Sequence, residues 1–600
     1  MIDKSKNLEN FENSNLETNS ITSKKSVDVI ESEQNEHGVS NEFFLQDKKG
    51  EIIVNDSSDN INKDKKKKFD QTKFLDKIKE KTINFLKNKY NIAFLIILIL
   101  ALIIRLKFIG QESIWNDAAV HLWYAVKVTQ EPFFLFSSDY IFGDYFVVQT
   151  LTAFIYALIK NIFLAGKMVA IIYGLLGITF IYLLGAKLKN KMTGLVAAAL
   201  LAFNHIFLFY GVRPLADAPL TTMIIIVVYC AFMLEEKKNF MWGLLFLISL
   251  VLAMLTKKQA ILFFVAYLIY LIIFKRKEAL KKPFLVTWLV PIVLLAFAHL
   301  VGKLIYGRDI LNKFFRILFS TGGTATGLDA SKMLNWVLSP YLIPLIILGI
   351  LLIFFYKNRV FYYSVVLFMF YWLYFEIGVN GGVLDRYILP LLPLGILFAA
   401  FFIDELSHFI SKLIGKKWRS ILVILVVVLL CWNYYNIADP LISGKSNSYA
   451  GHEEAGDWIN ENVPEDAIIF AGSPRMVRLF TERDFAGPND SINPRSGDPL
   501  SWDQGGESLW YLRAGKYLEN SSVFEEDLNV LNIGHDVYIE IDIWEYTQPS
   551  WYFPIQQASL DYFVSLGFEP VKFVEREVST QQGPQNMPVI FIFKKDKIIS

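Results

Sequence analysis

The sequence predicts a polytopic α-helical membrane protein, and three observations indicate that class. Apolar residues make up 54% of the 600 residues, and the mean hydropathy is +0.36, which exceeds what a soluble chain of this length needs. Between Asn91 and Pro440, apolar runs of bilayer-spanning length recur. The runs are continuous rather than alternating, so they predict helices and not barrel strands. A soluble enzyme, a disordered chain and a secreted disulfide-rich protein are therefore excluded.

Residues 1–89 are predicted to form a disordered cytoplasmic tail. They are rich in Asn, Ser, Glu and Lys and carry little apolar periodicity. Five lysines crowd residues 63–68, and a basic block before the first apolar run favours retention in the cytoplasm. The block could contact anionic membrane lipids, or it could be a solvated segment that only sets topology.

Residues 90–438 are predicted to form a transmembrane module of about eleven crossings, judged from the distribution of basic loops. An apolar run at 145–165 is better placed flat on the outer surface, within an external first loop at 110–166, because all strongly basic loops then lie inside. Those loops are 187–191, 237–238, 275–282, 357–359 and 412–419. The predicted spans are 91–109, 167–186, 192–210, 217–234, 239–255, 259–274, 283–302, 336–356, 360–379, 387–404 and 420–437.

Residues 439–600 are predicted to form an extracytoplasmic α/β domain. Gly, Pro, Asp and Glu become frequent again, and no apolar run is long enough to span a bilayer. Glu453–Asn462 has the pattern of an amphipathic helix. Ala467–Phe470, Val537–Ile543 and Val589–Phe593 have the patterns of strands.

The candidate functional residues are ionisable groups at the outer ends of spans, where charge near the membrane is costly and therefore suggests function. They are Asp117, His121, Arg213, Asp217, Lys257, Lys258, Glu376, Asp385 and Arg386. Lys257 and Lys258 also run against the positive-inside trend. Asp139 and Asp144 lie in the same first loop and could join a divalent-metal site, but their spacing matches no metal motif, so no cofactor is predicted.

Asp117 and His121 are four residues apart, so a helix would place both on one face. A carboxylate in a partly apolar interfacial cavity suits a general base, although a helix-capping Asp beside a hydrogen-bonded His would have the same spacing. Asp217 could orient a substrate or cap the span that begins there. The cations could bind a phosphate or could extend from span ends toward water.

These residues occur in motifs that resemble the GT-C membrane glycosyltransferases, specifically the protein O-mannosyltransferase and aminoarabinose transferase superfamily. The stretch from Asp117 to His121 is similar to the acidic motif of that family's first external loop, with Ala118 in place of the usual Glu. Three further motifs follow in the family's order over residues 90–440. They are Arg213–Leu220, similar to Arg-x-Asp-x-Pro-Leu; Leu255–Lys258, similar to Leu-Thr-Lys-Gly with Lys258 replacing Gly; and Arg386–Pro393 with Tyr387, similar to Arg-Tyr-x-x-Pro-x-x-Pro.

The resemblance implies transfer of a sugar, of the hexosyl or mannosyl type, from a polyprenyl (dolichyl-type) phosphate donor. The acceptor would be a hydroxyl on a protein, lipid or glycan at the outer face of the cell membrane. Asp117 would be the general base, with His121 and Asp217 beside it. The substrate-binding residues would be Arg213, Lys257, Lys258, Glu376, Asp385, Arg386 and Tyr387. No nucleic-acid partner is expected.

Two alternatives remain. A related GT-C group, the oligosaccharyltransferases, carries a Trp-Trp-Asp-Tyr-Gly motif, and Ser501–Gly505 is a partial match with different flanks. A transporter or flippase of glycan precursors would be expected to show inverted repeats and polar residues at mid-membrane. Here the polar residues crowd one membrane face, which favours interfacial catalysis.

Overall fold

The computed structural model describes most of the chain beyond the N-terminal tail. The described residues are 80, 87–111, 114–136, 145–306, 311, 329–355, 359–377, 383–415, 417–446, 448–471, 473–481, 525, 528–529, 531–543, 557–580 and 583–598. Nearly all of the predicted tail lies outside these residues, and so do Asp139, Asp144 and residues 501–505.

The described part of the chain up to residue 443 is helical. The helices are α1 (Lys89–Ile109), α2 (Asn116–Gln130), α3 (Phe146–Ile159), α4 (Ile162–Leu188), α5 (Lys191–Phe203), α6 (His205–Tyr210), α7 (Asp217–Lys237), α8 (Phe240–Thr256), α9 (Ile261–Phe274), α10 (Arg276–Ala279), α11 (Lys282–Tyr306), α12 (Ala330–Leu338), α13 (Ile343–Phe355), α14 (Arg359–Ile377), α15 (Asp385–Ile388), α16 (Leu392–Ile414) and α17 (Lys417–Ser443). Short 3₁₀ turns at Pro132–Phe136, Lys258–Ala260 and Leu389–Leu391 lie between them.

Six helical segments among the described residues are long and apolar enough to cross a bilayer: α1, α4, α7, α11, α17 and the run from α15 through α16. The pair α12 and α13, bent by 97°, would make a seventh. The shorter apolar helices are α3, α5, α8, α9 and α14. Every predicted span overlaps an observed helix, so the helical membrane class is confirmed. The number of crossings and their orientation stay predictions.

Ion pairs gather the loops predicted to be cytoplasmic at one end of the bundle. Asp404, in α16, lies 2.6 Å from the Lys189 ammonium and 2.7 Å from the Arg419 guanidinium. Glu235, near the end of α7, lies 2.7 Å from the Lys275 ammonium. Basic loops that are far apart in sequence therefore share one end, as the charge rule requires of loops on one side of a membrane.

Close packing of small residues holds the centre of the bundle together. Helix α5 is buried along almost its whole length, including seven consecutive apolar residues at 196–202. At Gly194 an added methyl group would lie 2.5 Å from the Tyr182 carbonyl oxygen, so only glycine lets α5 approach α4 this closely. The apolar core is continuous from α1 to α17.

A four-stranded sheet forms the C-terminal part of the chain, together with α18 (His452–Asn462), α19 (Pro474–Phe480) and α20 (Gln557–Ser565). Its strands are β1 (Ile468–Ala471), β2 (Val537–Asp542), β3 (Glu569–Thr580) and β4 (Gly583–Lys595), in the order β1-β2-β4-β3. Strands β1 and β2 are parallel, and the other pairs are antiparallel. The predicted helix and three strands are confirmed within a few residues, whereas β3 was not predicted.

Helix α2 joins the two cores, which gives the first loop its position. Ala118 is fully buried in the core of the helical bundle, and its neighbour Ala119 is fully buried in the core under the sheet, beside Tyr449 and Ala455. Their small side chains let α2 lie between both cores and contact α19. The N-terminal end of α2, which carries Asp117, is therefore fixed from two sides.

The predicted orientation can be tested with single cysteines at exposed positions. Lys277→Cys should be protected from an impermeant thiol reagent added to intact cells, and Lys160→Cys and Asp561→Cys should be labelled. The native Cys230 and Cys431 are both buried, so the background should be low. Labelling is read by mass shift, and permeabilised cells are the control. Labelling of Lys277→Cys in intact cells would show that the predicted orientation is wrong.

Candidate active site

A cavity of about 390 Å³ lies where the first loop, the helical bundle and the C-terminal domain meet. Seven of the ten residues predicted for the site share it, although they come from four separate parts of the sequence. The lining residues are Asp117, Val120, His121, Tyr145, Leu215, Asp217, Lys257, Lys258, Gln259, Arg386, Tyr387 and Arg475. Arg213, Glu376 and Asp385 are outside the lining.

Asp117 lies in the first turn of α2 and is held by two arginines. Its Oδ2 accepts a hydrogen bond of 2.5 Å from Arg386 Nη1, and its Oδ1 accepts one of 2.5 Å from Arg475 Nη1. Burial raises the pKa of Asp117, but the two guanidinium groups outweigh it and hold that pKa well below its ordinary value. Asp117 is therefore a carboxylate at neutral pH, with both oxygens engaged.

His121 lies one turn further along α2, on the same face as Asp117. Its ring meets the Tyr145 ring edge-on, with 4.4 Å between the centroids, and the residue is only 4% exposed. Burial lowers the pKa of His121 to about 4, against the nearby carboxylates of Asp117 and Asp217, which raise it. The imidazole is therefore neutral at pH 7.

Asp217 and Lys257 form a buried ion pair on the opposite wall. Asp217 begins α7, Lys257 follows the last residue of α8, and the Lys257 ammonium donates to Asp217 Oδ1 at 2.6 Å. The ammonium also lies 5.5 Å from the centre of the Tyr387 ring. The charge of Lys257 is therefore balanced within the protein, which the sequence analysis did not anticipate.

The lining carries an excess of positive charge. Lys257, Lys258, Arg386 and Arg475 contribute four positive charges, and Asp117 and Asp217 contribute two negative ones. With His121 neutral, a net charge of two positive units faces the cavity. A field of that sign favours an anionic ligand, and guanidinium groups match the geometry of a phosphate.

Arg213 is buried away from the cavity, against aromatic rings. The centre of its guanidinium lies 3.4 Å from the Phe209 ring centroid and 4.5 Å from that of Trp115, which precedes α2. This geometry is a cation–π stack. Arg213 thus packs against Trp115, the residue that precedes α2.

Glu376 and Asp385 hold backbone segments near the cavity. Glu376 Oε2 accepts from the Ser331 amide at 2.8 Å and from its hydroxyl at 2.9 Å, at the beginning of α12. Asp385 Oδ1 accepts from the Tyr210 hydroxyl at 2.8 Å and from the Arg386 amide at 2.7 Å. Asp385 therefore fixes the backbone from which Arg386 reaches Asp117.

Arg475 is the charged residue of the cavity lining that the sequence did not predict. It lies in α19 of the C-terminal domain, next to Pro474 at the start of that helix. The other cations were selected because charge is costly near the membrane. A basic residue in a polar domain has no such cost, so this criterion does not select Arg475. Arg475 reaches the cavity only because α19 packs against α2 in the tertiary structure.

The fold and the site together define a class of protein: a helical membrane fold with a positively charged cavity that contains the carboxylate of Asp117. Residues 146–301 match the sequence family described as dolichyl-phosphate-mannose-protein mannosyltransferase. No curated protein matches the chain.

Solved structures agree on the fold. ArnT from Cupriavidus metallidurans in the apo state aligns with a TM-score of 0.53 at 12% identity, over 83% of this chain and 97% of that one. ArnT bound to undecaprenyl phosphate gives a TM-score of 0.51 at 11% identity, with the same coverage. Archaeal oligosaccharyltransferase AglB from Archaeoglobus fulgidus, in complex with an inhibitory peptide and a dolichol-phosphate, gives 0.51 at 13% identity, over 83% and 74%. The predicted resemblance is confirmed: the chain has the fold of the GT-C membrane glycosyltransferases.

The Asp217–Lys257 pair predicts strong energetic coupling. Lys257→Ala leaves a buried carboxylate without its partner and should destabilise the protein by about 3–5 kcal/mol, whereas Lys257→Met with Asp217→Asn should recover most of the loss. Melting of the detergent-solubilised protein measures both. The exposed Lys107–Asp439 pair, at 2.7 Å against 2.6 Å for the buried pair, is the matched control, and Lys107→Ala should cost at most about 1 kcal/mol. Equal losses of stability in Lys257→Ala and Lys107→Ala would contradict strong coupling between Lys257 and Asp217.

The neutral His121 predicts a loss of stability in acid. Between an unfolded pKa of 6.5 and a folded pKa of about 4, the unfolded chain binds the extra proton, so stability falls as the pH is lowered through this range. The contribution is roughly 3 kcal/mol at full effect. His121→Phe keeps the ring contact with Tyr145 and should flatten the decline in melting temperature. An unchanged slope in His121→Phe would exclude His121 as the cause.

Proposed function

We propose that the protein transfers a sugar from a polyprenyl-phosphate carrier to an acceptor hydroxyl at the outer face of the cell membrane. The observation that carries this proposal is the cavity in which one carboxylate, Asp117, is bound by two arginines under a net positive charge. The GT-C fold supports a lipid-linked donor, because structures with this fold were solved with undecaprenyl phosphate and with a dolichol-phosphate.

In the proposed arrangement the module of residues 90–438 holds the carrier, and the domain of residues 439–600 contributes Arg475. The mannosyltransferase family match over residues 146–301 makes a mannosyl or other hexosyl phosphate the first donor to test. A protein hydroxyl is the first acceptor, with lipid and glycan hydroxyls as the alternatives. Glycosylation of proteins or of the cell envelope would be the corresponding role.

The two arginines give Asp117 a way to change its basicity during the reaction. While they bind it, its low pKa makes it a poor proton acceptor. A donor phosphate in the cavity offers the same guanidinium groups a bidentate anionic partner. As either arginine turns to the phosphate, Asp117 loses part of the positive charge that lowers its pKa, so that pKa rises. Donor binding would thus activate the base.

The proposed transfer needs only the donor and the acceptor as reactants. The acceptor oxygen attacks the anomeric carbon, the bond from that carbon to the phosphate oxygen breaks, and Asp117 takes the acceptor proton. The leaving polyprenyl phosphate gains a negative charge, which Arg386, Arg475 and Lys258 would stabilise. Lys257 would act mainly through Asp217, and the neutral His121 would help to shape the acceptor side.

Asp117→Asn provides the direct test. The amide keeps the shape of the carboxylate but cannot accept the proton, so turnover should fall about a hundred- to ten-thousand-fold. Transfer is measured with synthetic polyprenyl-phosphate mannose in purified membranes, and the products are identified by mass spectrometry. Glu131→Gln is the control, because Glu131 directly follows the same helix and its side chain pairs only with Lys127 among the described residues. It should stay within about twofold, as surface pairs contribute little.

A second candidate is block transfer of an oligosaccharide, which the match to the oligosaccharyltransferase AglB favours. The assay separates the two, because a single-sugar donor and a lipid-linked oligosaccharide give products of different mass. Full activity of Asp117→Asn with the single-sugar donor would show that another residue is the general base. Transfer only from the oligosaccharide donor would select the second candidate.

A further inference from the structure

The C-terminal domain contains a second cluster of ionisable side chains, sealed from water and separate from the cavity. His452, Glu540 and Asp542 are fully buried, and one ligand atom from each lies within 4.8 Å of the others. His452 begins α18, directly after the positive-φ Gly451, and Glu540 and Asp542 are two residues apart on one face of β2. The other face of β2 carries Val537, Ile539 and Ile541 in an apolar core.

One ring nitrogen of His452 faces the backbone and the other faces the two carboxylates. Its Nδ1 lies 2.9 Å from the Tyr449 carbonyl oxygen, which can only accept, so Nδ1 carries the hydrogen. In the neutral ring Nε2 then presents a lone pair, and it faces Glu540 Oε1 at 3.4 Å and Asp542 Oδ2 at 3.5 Å. Nε2 has no hydrogen-bond partner in the part of the chain that the structure describes. With Nδ1 engaged by the backbone, Nε2 is the ring atom left to bind a ligand, and it converges with one oxygen from each carboxylate.

We propose that this cluster binds a divalent transition-metal ion through His452 Nε2 and one carboxylate oxygen each from Glu540 and Asp542. A zinc ion binds nitrogen and oxygen ligands at about 2.0–2.2 Å, which separates neighbouring ligand atoms in a tetrahedron by about 3.3–3.5 Å. The two distances from Nε2, 3.4 Å and 3.5 Å, match such an edge. A histidine that donates its other nitrogen hydrogen to a backbone carbonyl is the usual metal-binding arrangement.

Charge supports a divalent ion. Two ionised carboxylates and a neutral imidazole would together match the charge of one divalent ion. Burial of uncompensated charge is costly. One divalent ion brings the cluster to neutrality. The mixed nitrogen and oxygen ligands favour ions of the zinc or manganese type over magnesium or calcium, which prefer oxygen alone.

The site would be structural and would hold the helix that carries Arg475. It connects α18, which follows the last predicted span, to β2 at the centre of the sheet. The backbone of Ser473 faces the Glu540 carboxylate, and Ser473 immediately precedes α19. Two residues later Arg475 reaches Asp117. A metal at this point would fix the start of α19 and thereby the distance from Arg475 to Asp117.

The test is the metal content of the full chain, purified without a polyhistidine tag. After dialysis against ZnCl₂ or MnCl₂ and removal of excess ion, mass spectrometry of the digested protein should find about one ion per chain. His452→Ala and the isosteric double variant Glu540→Gln/Asp542→Asn should bind Zn²⁺ at least about a hundredfold more weakly in competition with a chromogenic chelator. A chelator should lower the melting temperature of the wild type and not that of the double variant.

His535→Ala is the matched control, because His535 lies in the same domain and its Nδ1 also faces a backbone carbonyl, that of Asp466 at 2.8 Å. It should keep the full metal content. Equal metal content in the wild type and the double variant, or no bound Zn²⁺ or Mn²⁺ in the wild type, would overturn the proposal. The measurement needs neither donor nor acceptor, so its outcome is independent of the proposed transfer reaction.

Discussion

The architecture depends on one carboxylate that ties three distant parts of the chain together. Asp117 is bound by Arg386, 269 residues later, and by Arg475, 358 residues later. These contacts require the first loop, the helical bundle and the C-terminal domain to meet at one place. The buried pair Ala118 and Ala119 makes this geometry possible, because each packs into a different core. Helix α2 is thus fixed before any ligand binds, and such preorganisation is what electrostatic catalysis needs.

Around that carboxylate, charge pairing decides which groups remain available to a ligand. Lys257, one of the two lysines that run against the positive-inside trend, is paired with Asp217 inside the protein. Arg386 and Arg475 are both bound to Asp117, and in the proposed reaction a donor phosphate would compete for them. The cavity is therefore positive overall, although each of these three cations has a carboxylate partner. This arrangement suits a ligand that enters as an anion and leaves as a more highly charged one.

The C-terminal domain is part of the site rather than an appendage. Helix α19 supplies Arg475, and the core under the sheet receives Ala119 from the first loop. The buried residues His452, Glu540 and Asp542 lie in the layer between α18 and the sheet, next to the start of α19. Any event that loosens this layer would move Arg475 with respect to Asp117. Stability of the domain and electrostatics of the cavity are therefore physically linked.

The sequence by itself determined the helical membrane class, the positions of the helices and seven residues of the cavity, from Asp117 to Tyr387. Long apolar runs leave a chain few options in a bilayer, and ionisable groups at span ends are too costly to be accidental. Only the tertiary structure decided how those charges pair. The ion pair of Lys257 with Asp217, the stacking of Arg213 on aromatic rings and the reach of Arg475 across domains all depend on distances between segments far apart in sequence. The alternating pattern of β2 likewise gave no sign that Glu540 and Asp542 are buried, because a strand pattern defines two faces but not which of them is covered.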